Sequence, residues 1–371
     1  MAKDNLALYR IVLKTALNPK KIAVYGIANY DDVFSISKEH LANMKINPVF
    51  DEIASRALKS QSYREYNRDI HLINEAITRL KDIPLKEKVI LGGNSTNISL
   101  GLTSLGNITD LNVKRATKDM IKQLKSAGVS TVNSSLDEAA HHLIVQVKED
   151  GDRFIISPDY GTEEPELVDF VDNESDFAVY SGAHLDAKKE SVQKELLKRV
   201  KNISKKSKLY IELGSGSRMA EDNCRKVSKH ADIVGMNEVE LKAMTGVTGI
   251  VEGAAAYHRH CMKPSSILLI HTLKGSLALS KKPCQGIEKA QVLGHLEGSA
   301  RYITGRYMGQ KELRKQFRII ELHKEEITNN TGYSISWVPG IKYIGDGMSV
   351  GAGDGYVAGF VAGLLNFTKS R

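Results

Sequence analysis

An acidic residue inside a glycine-rich turn is the clearest chemical signal in this sequence. The segment "MSVGAGDGYVAGF", residues 348–360, places Asp354 among small residues and continues as an apolar pattern typical of a helix. Glycines permit a tight turn, and the free N–H groups at the start of a helix bind phosphate oxygens. Asp354 is therefore either a helix N-cap or a carboxylate that accepts a proton from an alcohol attacking a phosphate held by the turn.

Two common phosphate-binding motifs do not fit this segment. A dinucleotide fingerprint requires glycine where the chain has Tyr356, and an acidic residue about twenty positions further on. A Walker P-loop requires Gly-Lys-Ser/Thr after the turn, but the next lysine is Lys369. The charge of Asp354 therefore needs an explanation of its own.

Two further segments carry polar side chains suited to a polyol. In "GGNSTNISLGLTSLG", residues 92–106, a Gly-Gly turn and several amides and hydroxyls precede a helical pattern; such groups suit a sugar, and an ordinary capped helix is the alternative. In "GIANYDDVF", residues 26–34, Asn29 and Asp31 follow the first strand, where open α/β sheets bind ligands. A carboxylate there could hold two sugar hydroxyls, and an Asx turn is the alternative.

A fourth segment favours a metal ion. In "VGMNEVELKAMTG", residues 234–246, Asn237 and Glu240 are three positions apart across the start of a helix that follows a buried strand. This spacing places both side chains on one side of the helix, toward the carboxyl end of the strand. Magnesium takes oxygen ligands and keeps most of its waters, so an amide and a carboxylate suit it; a surface acid favoured by the helix dipole is the alternative.

The elements that must position these residues alternate along the chain. Short apolar runs typical of buried strands recur between helical patterns: "KIAVYGI", "DFAVYSG", "KLYIELGS", "ADIVGMN" and "SSILLIHT". This alternation predicts a mostly parallel sheet with helices on both faces. Residues 36–88 are charged and helical in character, and "HHLIVQVKEDGDRFIIS", residues 141–157, has the pattern of a hairpin. Both interruptions predict a smaller lid over the sheet edge where ligands bind.

Composition narrows the class of protein. With 371 residues and 42% apolar content, the chain can bury one large core or two moderate ones. We expect a cytoplasmic protein without a membrane partner, because no secretory signal or membrane-length apolar run is visible. The three cysteines are widely spaced, and we expect them to be reduced. The formal net charge of +8 is expected to reflect lysine-rich helix surfaces, as in "KKESVQKELLKRVKNISKKSK", rather than a nucleic-acid partner, because no aromatic residues are interleaved to stack bases.

Taken in order, these segments resemble one known family. "GGN" near residue 92, "NEVE" near 237 and "GAGD" near the C-terminus, with "GIANYDDV", "DRFIISPD", "FAVYSGAHL" and "LLIHTLKG", resemble the archaeal-type ADP-dependent sugar kinases, glucokinases and phosphofructokinases of the ribokinase-like superfamily. The resemblance covers residues 20–366. It implies a ribokinase-like three-layer α/β/α core with a mostly parallel sheet, formed by residues 1–28, 89–140 and 161–371. It also implies a smaller α+β lid formed by residues 29–88 and 141–160.

The resemblance also implies roles for residues at matching positions. Asp354 would be the catalytic base, and Gly351, Ala352 and Gly353 the anion hole for the transferred phosphoryl group. The implied sugar-binding residues are Asn29, Asp31, Gly93 and Asn97, and the lid residue Arg153 would meet phosphate, with an ordinary surface arginine as the alternative. The implied nucleotide-binding residues are Asn237, His271, Thr272 and Gly353, and the implied magnesium ligands are Glu212, Glu240 and Asp354.

Two departures accompany the resemblance. Tyr210 stands where the family has a histidine two residues before the retained Glu212, and the lid insertion is shorter than is usual for the family. The expected function is magnesium-dependent transfer of a phosphoryl group from a nucleotide, with ADP favoured, to a hydroxyl of a sugar or sugar phosphate. Two alternatives stay open: an ATP-dependent ribokinase-type sugar or nucleoside kinase, and a non-catalytic relative that only binds sugar or nucleotide.

Overall fold

Two β-sheets organise the chain. The computed structural model describes residues 2–60, 64–113, 116–132, 141–147, 153–158, 175–183, 189–214, 218–342, 347 and 350–368. Its strands are β1 (Lys21–Gly26), β2 (Asn29–Ile36), β3 (Arg64–Arg68), β4 (Lys86–Gly92), β5 (Ile108–Val113), β6 (Ser130–Val132), β7 (His141–Val147), β8 (Arg153–Pro158), β9 (Phe177–Ser181), β10 (Lys208–Glu212), β11 (Ile233–Asn237), β12 (Ile267–His271), β13 (Gly275–Ser280) and β14 (Ser334–Pro339).

Helices connect and cover these strands. They are α1 (Ala2–Lys14), α2 (Lys38–Asn43), α3 (Pro48–Ser60), α4 (Ile70–Lys81), α5 (Asn94–Ser104), α6 (Lys118–Ser126), α7 (Glu190–Lys206), α8 (Arg218–Ser228), α9 (Glu238–Thr245), α10 (Ile250–Cys261), α11 (Ile287–Thr304), α12 (Gln310–Gln316) and α13 (Ala352–Phe367). Among the described residues, no helix combines the length and apolarity that a membrane crossing requires.

The larger sheet has nine strands in the order β14-β13-β12-β11-β10-β9-β1-β5-β6. The pairs from β12 through β6 are parallel, whereas β13 and β14 add antiparallel strands at one edge. Alternate residues of β1 enter different cores: Ile22 and Val24 pack with α5, α11 and α13, and Ala23 and Tyr25 pack with α7, α8 and α10. The predicted three-layer α/β/α core is confirmed, because both faces of a parallel sheet are buried here.

The smaller sheet, which together with α2, α3 and α4 we call the lid, has the strand order β3-β8-β7-β2-β4. One face is covered by its helices, where Phe34, Phe50 and Leu80 are buried. On the other face, Val33 and Ile144 pack against Val350 of the larger unit. The predicted hairpin is present as antiparallel β7 and β8, and its connection lies outside the described residues.

The expected boundaries of the core and lid stay a prediction. The step from β1 to β2 falls at the expected residue 28. At the next boundary, β4 runs across the expected position 89, because its antiparallel pairing with β2 continues to Gly92. The chain re-enters the larger unit only at α5, which begins at Asn94.

Close packing of α11 against α13 fixes the direction of the last helix. The contact is lined by glycines on both helices, and a Cβ at Gly359 would overlap the carbonyl oxygen of Leu293 and lie 2.7 Å from its carbon. Cβ atoms at Gly294 and Gly298 would likewise lie 2.8 Å and 2.9 Å from atoms of α13. Because neither backbone has room to move closer, the N-terminus of α13 is held in one position beside the carboxyl ends of the strands.

Candidate active site

The N-terminus of α13 contains the glycine turn. Gly351 is the N-cap, with φ of 78°, and no side chain among the described residues caps the helix. Asp354 is the third residue of the helix, so the N-cap interpretation of Asp354 is wrong. The helix begins at Ala352, two residues earlier than expected. The N–H groups of its first turn keep their capacity to bind an anion, and the carboxylate of Asp354 lies in the same turn.

A cleft of ≈340 Å³ contains most of the residues that the sequence singled out. Its lining includes the turn residues Gly351, Ala352, Gly353 and Asp354 and the strand-end residues Glu212, Asn237, Glu240, His271 and Thr272. The strand-end residues come from the carboxyl ends of three neighbouring parallel strands, β10, β11 and β12, or directly follow them. Residues distant in sequence therefore meet because parallel strands end at the same edge of the sheet.

Asn237 and Glu240 form a reciprocal cap at the start of α9. The Asn237 side chain accepts a hydrogen bond from the Glu240 N–H at 2.9 Å, and Glu240 Oε2 accepts one from the Asn237 N–H at 2.8 Å. Glu240 is only 7% exposed. The alternative of a surface acid is therefore wrong for Glu240, whose carboxylate is held rigidly at the cleft.

Each carboxylate oxygen of Glu212 has a hydrogen-bond partner. The Tyr210 hydroxyl donates to Glu212 Oε2 at 2.6 Å, and His271 Nε2 lies 2.8 Å from Glu212 Oε1. The space for this arrangement comes from Gly235 on the neighbouring strand, since a Cβ there would overlap both the hydroxyl and the carboxylate. Tyr210, which stands where the resemblance implies a histidine, thus supplies a hydrogen-bond donor to Glu212.

Burial and the neighbouring carboxylates shift the pKa of the His271 imidazole in opposite directions. Burial lowers the pKa of its imidazole, but the carboxylates of Glu212, Glu240 and Asp354 outweigh this and raise the pKa above its ordinary value. Its ring also stacks on Tyr356, with centroids 5.2 Å apart. His271 is therefore a partner of the cleft carboxylates rather than an isolated core histidine.

The carboxylates suit a magnesium ion that keeps its waters. No group of three or more His, Cys, Asp or Glu side chains is arranged around a metal position in the described part of the chain. Glu212, Glu240 and Asp354 nevertheless line one cleft, and magnesium commonly binds through one or two carboxylates, waters and substrate phosphates. The donor set therefore fits magnesium, although the roles of these ligands stay a prediction.

The expected sugar-binding residues meet at the junction of core and lid. Asn29 and Asp31 belong to β2, so the Asx-turn alternative is wrong, and Asn29 Nδ2 donates to Asp31 Oδ1 at 2.5 Å. Gly92, on the paired strand β4, makes room for the Asp31 carboxylate, which a Cβ would overlap. Gly93 adopts φ of 85°, where a Cβ would overlap the Ile27 carbonyl oxygen. The Asp31 carboxylate explains the first glycine, and the close approach of the Ile27 backbone explains the second.

Buried amide oxygens mark this junction as polar. Asn29 is fully buried and Asn97 is 3% exposed, and the Oδ1 atom of each lacks a hydrogen-bond partner among the described residues. A Cβ at Gly351 would lie 3.3 Å from Asn97 Oδ1, so the junction adjoins the glycine turn. Because buried acceptors without donors are costly, these oxygens fit a ligand that brings hydroxyl groups.

Two further polar residues lie at this junction that no motif in the sequence indicated. His142 Nδ1 lies 3.7 Å from Asp31 Oδ1, and Gln146 Nε2 donates to the Gly347 carbonyl at 2.7 Å, which connects the lid to the core. His142, Ile144 and Gln146 alternate along β7, so a period-two interpretation of that strand would have placed them on one face. Arg153 begins β8 opposite Gln146, and its side chain lies outside the described part of the structure.

His295 was also missed, in the cleft itself. It lines the cleft, packs edge-on against Tyr356 and lies 3.0 Å from the Ser276 hydroxyl. Burial lowers the pKa of its imidazole to about 3. His295 is therefore neutral under ordinary conditions, and its pKa is shifted in the opposite direction to that of His271.

Comparisons with known proteins agree with this architecture. The family model for pfkB family carbohydrate kinases matches residues 77–289. An ADP-dependent kinase solved with fructose-6-phosphate and ADPβS has a TM-score of 0.77 at 14% identity, over 100% of this chain and 98% of that one. A phosphofructokinase from Pyrococcus horikoshii OT3 with AMP has a TM-score of 0.69 at 16% identity, over 95% and 99% of the two chains.

A more distant neighbour shares less of the chain. An adenosine kinase from Anopheles gambiae has a TM-score of 0.51 at 13% identity, over 76% of this chain and 89% of its own. No curated protein matches the sequence. At these identities the structural neighbours show a shared fold, and they confirm the expected ribokinase-like fold and the resemblance to the ADP-dependent sugar kinases at that level.

Proposed function

The chain belongs to the pfkB family of carbohydrate kinases, and we propose that it transfers a phosphoryl group from ADP to a hydroxyl of a sugar or sugar phosphate. The observation that carries this proposal is the first turn of α13, which brings the Asp354 carboxylate and the helix N–H groups into one cleft. Phosphoryl transfer requires positioning and charge stabilisation more than covalent chemistry from the protein. A base and an anion hole in one helical turn provide both.

Asp354 accepts the proton of the attacking hydroxyl in this proposal. The N–H groups of Gly351, Ala352 and Gly353 hold the transferred phosphoryl oxygens, with the positive end of the α13 dipole behind them. The sugar lies between the turn and the lid, where Asn29, Asp31 and Asn97 present oxygens to its hydroxyls. The closed lid excludes water, which would otherwise compete as the phosphoryl acceptor.

The nucleotide occupies the part of the cleft lined by α9 and the loop after β12. Val239 and Leu273 line this part and are 47% and 70% exposed, which provides apolar surface for a base beside the polar Asn237 and Thr272. Glu212 and Glu240 would hold magnesium at the phosphates, directly or through water. When bound, this ion supplies positive charge to the phosphate oxygens.

The preference for ADP over ATP rests on fold similarity. Neighbours that cover 95% or more of this chain include an ADP-dependent kinase and related phosphofructokinases. The ADP-dependent kinase was solved with fructose-6-phosphate, which places sugar phosphates among the acceptors to be tested. The adenosine kinase, which covers less of the chain, supports the ATP-type alternative more weakly.

A donor and acceptor panel tests the proposal. ADP and ATP are each offered with magnesium and a set of sugars, sugar phosphates and nucleosides, and formation of the phosphorylated product is measured. We expect turnover with ADP and at least one sugar or sugar phosphate. Asp354→Ala is expected to lower kcat by about 10³-fold or more because general-base catalysis is lost, while nucleotide affinity by calorimetry stays within about threefold.

Asp222→Ala provides the matched control. Asp222 is an exposed acid on α8 that pairs with Arg225, and its loss is expected to leave kcat unchanged. Turnover with ATP alone would favour the ribokinase-type alternative. Ligand binding with no turnover for any pair would favour a non-catalytic relative, and near-normal turnover in Asp354→Ala would overturn the role of Asp354.

A further inference from the structure

A short connection between α11 and α12 packs directly behind the glycine turn. This connection, residues 305–308, which we call the strap, is tied to α11 at two points: Arg301 Nη1 donates to the Gly305 carbonyl, and the Met308 N–H donates to Glu297 Oε1 at 3.0 Å. A third tie joins Glu297 to α5, because the Ser104 hydroxyl donates to Glu297 Oε1 at 3.2 Å. The strap is therefore anchored in the core rather than held loosely at the surface.

Two side chains connect this region to the turn. Arg301 Nε donates to the Val350 carbonyl at 3.2 Å, and the Tyr307 hydroxyl donates to the Gly351 carbonyl at 3.3 Å. The Arg301 guanidinium lies over the Tyr307 ring, 4.9 Å from its centroid. A Cβ at Gly351 would lie 2.9 Å from both Arg301 Nε and the Tyr307 hydroxyl. Both carbonyls at the start of the anion hole are thus held by donors from outside the glycine motif.

The positive charge of Arg301 is buried beside the glycine turn. Arg301 is 5% exposed and forms no ion pair within the described ranges of the chain. The nearest acid along its own helix is Glu297, one turn earlier, and burial raises the pKa of that carboxyl to about 8, so it is mostly neutral at pH 7. A buried guanidinium without a counter-ion is costly, so its retention next to a turn that suits an anion requires an explanation.

We propose that Arg301 is a positioning residue of the kinase, which fixes the anion-hole turn and adds a buried positive charge behind it that the bound phosphoryl group offsets. Tyr307 shares the positioning role by holding the Gly351 carbonyl. The inference rests on the proposed function for the identity of the anion. The geometry of the turn, the guanidinium and the strap does not depend on the acceptor or on the donor nucleotide.

Two substitutions separate the charge from the hydrogen bond. Arg301→Gln keeps a donor of shorter reach but removes the charge, whereas Arg301→Lys keeps the charge on a different donor geometry. With the substrates found in the panel, we expect kcat to fall about 100-fold in Arg301→Gln, the lower end of the range seen when one anion-hole group is lost. We expect kcat to fall less, about 10-fold, in Arg301→Lys, which keeps the charge, with KM values changed less than about threefold in both variants. Arg225→Met is the control, because Arg225 also donates to a backbone carbonyl, that of Met244, away from the cleft.

A second readout is independent of turnover. Inorganic phosphate added to the free protein is expected to raise Tm in the wild type and in Arg301→Lys, and to raise Tm of Arg301→Gln clearly less, because the N–H groups of the turn still bind the anion but the buried positive charge is lost. If the wild type turns over no substrate, the proposed function fails and the phosphate shift still decides the role of Arg301. Equal kcat and equal phosphate shifts in the Gln and Lys variants would overturn the proposal, as would a wild type with neither turnover nor a phosphate shift.

Tyr307→Phe provides a further measurement in case Arg301→Gln does not fold. It removes the bond to the Gly351 carbonyl without changing any charge, so we expect kcat to fall about threefold, the effect of one neutral hydrogen bond, with the phosphate shift retained. An unchanged kcat together with a lost phosphate shift would contradict the division of roles between Arg301 and Tyr307.

Discussion

A single methyl group at Gly235 would disrupt the support of Glu212. A Cβ there would overlap the Tyr210 hydroxyl and Glu212 Oε2 and lie 2.6 Å from Tyr210 Cζ. Tyr210 is fully buried, with its ring centroid 6.2 Å from that of Phe360, so the ring has no free space to enter. We expect Gly235→Ala to lower the free energy of unfolding by about 4 kcal/mol: about 2 for overpacking and about 2 for the lost bond to a carboxylate.

The double variant gives a sharper test than the single one. Tyr210→Phe alone is expected to cost about 2 kcal/mol, the value of the hydrogen bond to Glu212. In the double variant this bond is lost only once, and the methyl group still overlaps Glu212 Oε2 and lies close to the ring, so the double variant is expected to cost about 4 kcal/mol rather than the additive value of about 6. Urea unfolding of the four proteins, with the m-value checked for each, measures the coupling. Additive costs would refute the reasoning, because they would mean that the methyl group and the hydroxyl do not compete for one space.

Two further predictions follow from buried groups near α13. Gly359→Ala is expected to lower Tm, because its Cβ would overlap the Leu293 carbonyl and the higher helix propensity of alanine offsets this by only about 1 kcal/mol. Gly253→Ala is the control: the nearest atom to its Cβ lies at 3.3 Å, so Tm is expected to change little or to rise. Burial raises the pKa of Glu297 from 4.5 to about 8. Between these two pH values the folded protein keeps a proton on Glu297 that the unfolded chain releases, so the stability of the folded state falls as pH rises from 4.5 to 8. Glu297→Gln is expected to exceed the wild type in Tm at pH 8 by more than at pH 5, and equal differences at both values would contradict this.

The parallel strands of the core and the β7–β8 hairpin of the lid were predictable, whereas β2 of the lid was not, for a physical reason. Strands buried on both faces appear as continuous apolar runs, which is how β1, β9, β10, β11 and β12 were recognised. The lid strand β2 has the sequence "NYDDVFSI", because one of its faces carries the buried polar residues Asn29 and Asp31 while the other packs on helices. Its amides and acids gave the appearance of a turn, and only the sheet pairing identifies it as a strand.

The residues of the candidate site likewise divide into those that the sequence groups together and those that only the tertiary structure brings together. Asn237, Glu240 and His271 could be grouped from sequence because all three lie at or just after the ends of adjacent parallel strands. Arg301 and Tyr307 could not, because they lie in and after α11 and reach the turn only through tertiary packing. The departure at Tyr210 was visible in the sequence. That its hydroxyl reaches Glu212 depends on Gly235 in the neighbouring strand, and no spacing along the chain shows this.

The lid sheet is built from two segments of the chain that are far apart in sequence, so it can form only after both have been synthesised. β2 pairs in parallel with β7 in register from Tyr30 with His141 to Ile36 with Val147, and β3 pairs with β8, so each half of the sheet depends on a strand made much later. Such pairings carry a loop-closure cost that local contacts do not. During synthesis the lid, although it begins at residue 29, stays incomplete until the ribosome has passed residue 158. The lid face that we propose to hold the acceptor is thus encoded early in the chain and completed late.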